Sequence, residues 1–149
     1  MACGDDESGS PSLMANHPAA KGLAALRAGD PRQALEWFNQ LVEQEPSGVP
    51  GHFLRAEALD QLGDLVQLRA TLTDLISRFP FAEGACRERF ALLELSEGHR
   101  DAALAELERA VASGWSNVDA ISGDPRGASL AADPAFAALF ERARANSAG

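Results

Sequence analysis

From about Ala15 to Val111, apolar residues recur at spacings of three and four. That is the period of helices that bury one face. Gly29-Asp30 and Gly63-Asp64 interrupt the pattern. Glycine readily takes the left-handed backbone that closes a helix, and aspartate caps the helix that follows. Asp30-Pro31-Arg32-Gln33 adds a proline in the first helical turn and a glutamine three residues past the cap, and Asp64-Leu65-Val66-Gln67 repeats the Asp-to-Gln spacing. Both read as capping boxes, with Asp in place of Ser or Thr. The pattern predicts helices near 16–28, 31–44, 50–62, 65–78, 82–97 and 100–113. Ahead of them, residues 1–14 are small, acidic and without apolar period, and predict a flexible tail.

The punctuation is itself periodic. Gly29 to Gly63 and Pro46 to Pro80 are 34 residues apart, and Gly63 to Gly98 is 35. Gly22, Ala56 and Ala91 keep the same step, as do Phe38, Leu72 and Leu107. One extra residue therefore falls between Pro80 and Ala91. Helix pairs repeating at this period form repeat architectures, each pair burying its face on its neighbours. Small residues let helices approach; the larger ones fill the spaces between. After Trp115 the period is lost. Asp133-Pro134 then starts a helix with Phe136, Leu139, Phe140 and Ala143 on one face, the pattern of a terminal cap.

These residues resemble the tetratricopeptide repeat, whose unit carries W-x2-L-G-x2-Y, then A-x3-F, then P. Gly22, Ala34, Phe38 and Pro46 match in the first unit; Ala56, Leu59, Leu68, Leu72 and Pro80 stand in those places in the second. The third has Ala91, Ala103 and Leu107, and ends on Gly114-Trp115 in place of the proline. Pro18, His52 and Arg87 stand where the family favours tryptophan. The resemblance implies an all-α fold of about seven helices, a right-handed α-solenoid of antiparallel helix pairs. Three repeats would cover 15–48, 49–82 and 83–116, with an irregular segment and a capping helix over 117–149.

Composition narrows the class. The chain has 29 Ala and 19 Leu against 5 Val, 2 Ile and no Tyr among 149 residues, which favours helix over sheet. A net charge of −9 repels a phosphate backbone and argues against nucleic-acid binding. Cys3 and Cys86 make no disulfide framework and offer no metal-ligand spacing. No catalytic motif is present: G-x-S-x-G, the P-loop, H-E-x-x-H and C-x-x-C are all missing. His52 and Cys86, both on first helices, form the one pair with nucleophilic chemistry, and no third residue orients the histidine. The expectation is a protein without catalysis, cofactor or metal.

In the family the resemblance points to, the first helix of each pair lines a concave face that holds a segment of another protein. The register places Leu23, Phe53, Glu57, Asp60, Glu88 and Leu92 on that face, with Arg27 and Arg89 beside them. The expected partner is a protein segment with apolar residues and at least one Lys or Arg. Members that clamp a terminal carboxylate use Lys and Asn, and the matching places here (Ala19, Leu23, Leu54, Ala85, Arg89) lack that set. The alternative is a structural or self-associating assembly subunit. No stretch has the length of a membrane-spanning helix. The expected location is the cytoplasm; Ala2-Cys3-Gly4 before an acidic Ser/Gly/Pro stretch also resembles the start of a mature bacterial lipoprotein, anchored through Cys3.

Overall fold

The computed structural model describes residues 16–148. The tail reading of residues 1–14, Cys3 and the acidic run Asp5-Asp6-Glu7 fall outside the described residues. Among the described residues the chain is all-helical, with no strand. Its helices are α1 (Pro18–Arg27), α2 (Pro31–Gln44), α3 (Val49–Leu62), α4 (Leu65–Arg78), α5 (Glu83–Ser96), α6 (Arg100–Ala112), α7 (Val118–Ser122) and α8 (Pro134–Ala148). Single 310 turns occupy Pro80–Ala82 and Leu130–Ala132. The chain divides into two compact units, one ending at Leu68 and the other starting at Arg69.

Helix ends repeat as the spacing predicts. Gly29, Gly63 and Gly98 adopt φ of 81°, 77° and 80°. Each closes its helix with the same pair of bonds: the Gly29 and Asp30 amides donate to Leu26 and Ala25, those of Gly63 and Asp64 to Asp60 and Leu59, those of Gly98 and His99 to Leu95 and Glu94. This double bond is the Schellman closure, which needs a left-handed residue. Gly114 (φ 103°) ends α6 in the same way. The other two second helices end differently. Glu45 (φ −133°, ψ 68°) and Phe79 (φ −132°, ψ 76°) precede prolines and share one conformation 34 residues apart. A proline ring drives the residue before it out of the helical region.

Half of each predicted capping box forms. Asp30 Oδ1 accepts from the Gln33 amide at 3.1 Å, and Asp64 Oδ1 from the Gln67 amide at 3.2 Å. The reciprocal arm differs: Gln67 Nε2 donates to the Asp64 carboxylate (3.0 Å), not to its backbone. Asp64→Ala is expected to lose about 1 kcal/mol and lower the melting temperature by roughly 2–4 °C, whereas Asp64→Ser should keep most of both. A calorimetric scan separates the two variants.

In the first unit α1 packs on α2 and α2 on α3. Ala25, Ala34, Phe38, Leu41 and Ala58 form the core, with Ala19, Leu26, Leu35 and Leu54 packed against it. Gly22 is buried, and a Cβ there would lie 2.3 Å from Phe38 Cε1. The aromatic ring therefore occupies the space a larger side chain at position 22 would need. Lys21 Nζ stands 4.4 Å from the Trp37 ring centroid and ties the same two helices from outside.

The second unit has a core of its own. Ala91, Ala103, Leu107, Ala110 and Val111 meet Trp115, Val118, Ile121, Leu130, Phe136, Leu139, Phe140 and Ala143. The four residues expected on the inner face of the last helix are all there. Asp133 caps that helix through the Ala135 amide (3.0 Å) and receives Arg100 Nη2 at 3.1 Å. Those bonds hold its carboxyl below the ordinary range, the Ala135 amide first and Arg100 next. At the far end of α8, Asn146 Nδ2 donates to the carbonyls of Val111 (3.0 Å) and Trp115 (2.9 Å). One correction concerns the segment read as irregular. Val118 and Ile121, three apart, turn into this core and fold their stretch into α7, so the described residues hold eight helices where about seven were expected.

Candidate functional site

The expected contact residues fall in both units: those on α1 and α3 in the first, those on α5 in the second. On α1, Leu23 is 37% exposed, and Arg27 is exposed in the last turn. On α3, Phe53, Glu57 and Asp60 are half-buried, and the spacing of four and three puts them on one face of the helix. Glu57 Oε2 accepts from Gln61 Nε2 at 3.0 Å, one turn on. Arg55, on another side of α3, donates from Nε to Asn39 Oδ1 at 2.6 Å and so braces α3 on α2.

On α5, Glu88 and Arg89 are half-buried. Glu88 Oε1 accepts from the Trp115 indole N–H at 2.9 Å. Burial pushes its carboxyl above the ordinary carboxylate range; the bonds from Trp115 and Asn117 and the charge of Arg89 oppose that rise. Leu92 is 7% exposed and belongs to the core of its unit. Expected on the binding face, it is a packing residue, because its direction from α5 meets the helices behind.

His52 and Cys86 have structural surroundings. His52 is buried, and its Nε2–H donates to the Pro46 carbonyl at 2.8 Å, fixing the turn between α2 and α3. Cys86 is fully buried, and desolvation pushes its thiol up to about 11. At neutral pH it is protonated, and a thiol without thiolate is a weak nucleophile. Sequence reasoning missed a third arrangement, at the C-terminal end of α5. Ligand atoms of Glu94, Glu97 and His99 lie within 4.8 Å of one another, a set that suits a divalent ion. Arg69 already supplies the positive charge there, with Nη1 3.0 Å from Glu94 and Nη2 2.6 Å from Glu97. His99 Nδ1 is 3.0 Å from the other Glu94 oxygen. The Arg69 and His99 bonds hold the Glu94 carboxyl below its ordinary range. The guanidinium does the work of a cation, so the cluster is an ion-pair network. Its signal was present in the register: Glu94 takes the place of Ala25 and Leu59, both buried and apolar.

A second missed feature is Phe81, 80% exposed on the 310 turn and edge-to-face with Phe79 at 6.1 Å. The first repeat has Ser47 at that register. The chain matches no family model, no curated protein and no solved structure. No helix among the described residues is long and apolar enough to cross a membrane.

Proposed function

We propose that the chain is a non-catalytic adaptor of the tetratricopeptide kind, its helix pairs wound as a right-handed solenoid, and that its first helices grip a segment of another protein. The observation that carries this reading is the recurrence of local geometry. The left-handed closures at Gly29, Gly63 and Gly98, and the pre-proline bends at Glu45 and Phe79, return at 34 or 35 residues together with the buried positions. A periodic stack of helix pairs offers an extended face and is suited to chain recognition. The chemistry of the histidines and of Cys86 supports the same view, since each is engaged in packing or in helix ends.

Within the first unit the face offers Leu23 and Phe53 as apolar contacts and Arg27, Glu57 and Asp60 as charged ones. Such a face fits a partner segment that alternates apolar residues with Lys or Arg. Charge would set the encounter rate and orientation, and the aromatic residue the lifetime. The test begins with a pull-down and mass spectrometry, followed by crosslinking to the partner found. Crosslinks are expected on α1, α3 and α5. Crosslinks confined to Glu36, Arg69 and Glu106, on the second helices, would overturn the reading. With the partner in hand, Phe53→Ala should speed dissociation by more than about fivefold, measured by surface plasmon resonance.

A further inference from the structure

α1 differs from the first helices of the later pairs in how it begins. α3 and α5 start at Gly48 and Ala82, with no side-chain cap. α1 starts at His17, whose Nδ1 accepts the Ala19 amide at 3.1 Å. An imidazole is an unusual cap, since it accepts only while that nitrogen carries no proton. α1 also depends on α2 to hold it. It is ten residues long, below the length at which a helix persists alone, and its buried residues are Gly22 and Ala25. Ala19, Ala25 and Leu26 pack into the core of the first unit, and the Gly22–Phe38 contact and Lys21 over Trp37 add to its hold on α2.

We propose that His17 is a pH-sensitive cap which holds α1 at neutral pH and releases it in mild acid. Imidazole ordinarily changes charge between pH 5 and 8. Protonation turns the Nδ1 acceptor into a donor and places a positive charge at the positive end of the helix. One described group opposes this. Glu45, at the end of α2, has its carboxylate 3.8 Å from His17 Nε2 and attracts the charged ring. Both side chains are about half exposed, at 47% and 58%, where an ion pair contributes little. Lys21, a turn along α1, is drawn to Trp37 and adds only like charge. The cap and the dipole therefore prevail, and α1 opens more often as pH falls. Because α1 carries Leu23 and Arg27, acid would also remove part of the face assigned above, though the opening itself does not depend on that reading.

Hydrogen exchange by mass spectrometry on the full chain, corrected for intrinsic rates, tests the proposal at pH 7.5 and 5.5. Peptides covering residues 18–27 should lose about fivefold in protection at the lower pH. Those from α2, capped by the Asp30 carboxylate, should not. His17→Asn, whose amide oxygen accepts at either pH, should hold protection constant. His17→Ala should be weakly protected at both pH values, and Glu45→Gln should deepen the loss in acid. An equal loss in His17→Asn, no loss in the wild type, or a gain from a dominant Glu45 pair would each overturn the proposal.

Discussion

Removing residues 130–149 is expected to unfold the second unit or drive it to aggregate. Leu130, Phe136, Leu139 and Phe140 are each 2% exposed or less, and all sit in one core with Leu107, Val111 and Ile121. Burying a side chain of this size contributes about 1.5–3 kcal/mol. Four of them sum to roughly 6–12 kcal/mol, comparable to the whole stability of an ordinary domain. The cut also deletes Asn146, which satisfies two carbonyls at the end of α6, and it leaves the facing apolar residues open to water. Light scattering after size exclusion and a melting curve report the result. A truncated chain that stayed monomeric and melted like the full one would remove the covering role of α8.

Gly22→Ala is expected to destabilise the first unit by about 1–3 kcal/mol, although the same change inside a helix ordinarily stabilises it. The sign is reversed because the new methyl meets the Phe38 ring at 2.3 Å. Positions 56 and 72 hold Ala with Leu, and 91 and 107 do the same, all fully buried. Adding Phe38→Leu to Gly22→Ala recreates that pairing and should recover most of the loss. Phe38→Leu alone leaves unfilled space and should weaken the unit by itself. Denaturant melts of the two single variants and the double close the cycle. Purely additive losses would show that the two positions do not share their volume.

Parts of this fold are legible in the sequence and parts are not. Helix ends were readable to within a few residues, because glycine, proline and aspartate act on their own backbone and need no tertiary information. The nine register positions at Gly22, Ala34, Phe38 and their equivalents were readable too, since burial there is fixed by the helical period. The direction of a side chain between two faces was harder. Leu92 has the same chemistry whether it meets a partner or the core, and only the helices behind α5 decide. α7 escaped notice because five residues hold too little pattern for a 3.6-residue period, yet Val118 and Ile121 found a core to enter. The Arg69 network was hidden for another reason. Its members lie 25 and 28 residues apart, so no local spacing reveals that Glu94 and Glu97 share one guanidinium.

The left-handed closures bear on the length of the chain. Gly29-Asp30 and Gly63-Asp64 are junctions of the same kind, a closing glycine followed by a capping aspartate. The stretch from Asp30 to Gly63 thus begins and ends on matching hardware. A duplicated copy spliced after Gly63 would ask no residue at either seam for a new backbone angle. Gene duplication could then extend the array by whole helix pairs, with no linker to invent. The seam after Ala112 is of another kind, since Gly114 closes α6 and Trp115 follows it into the core where the other junctions have a capping aspartate or a histidine.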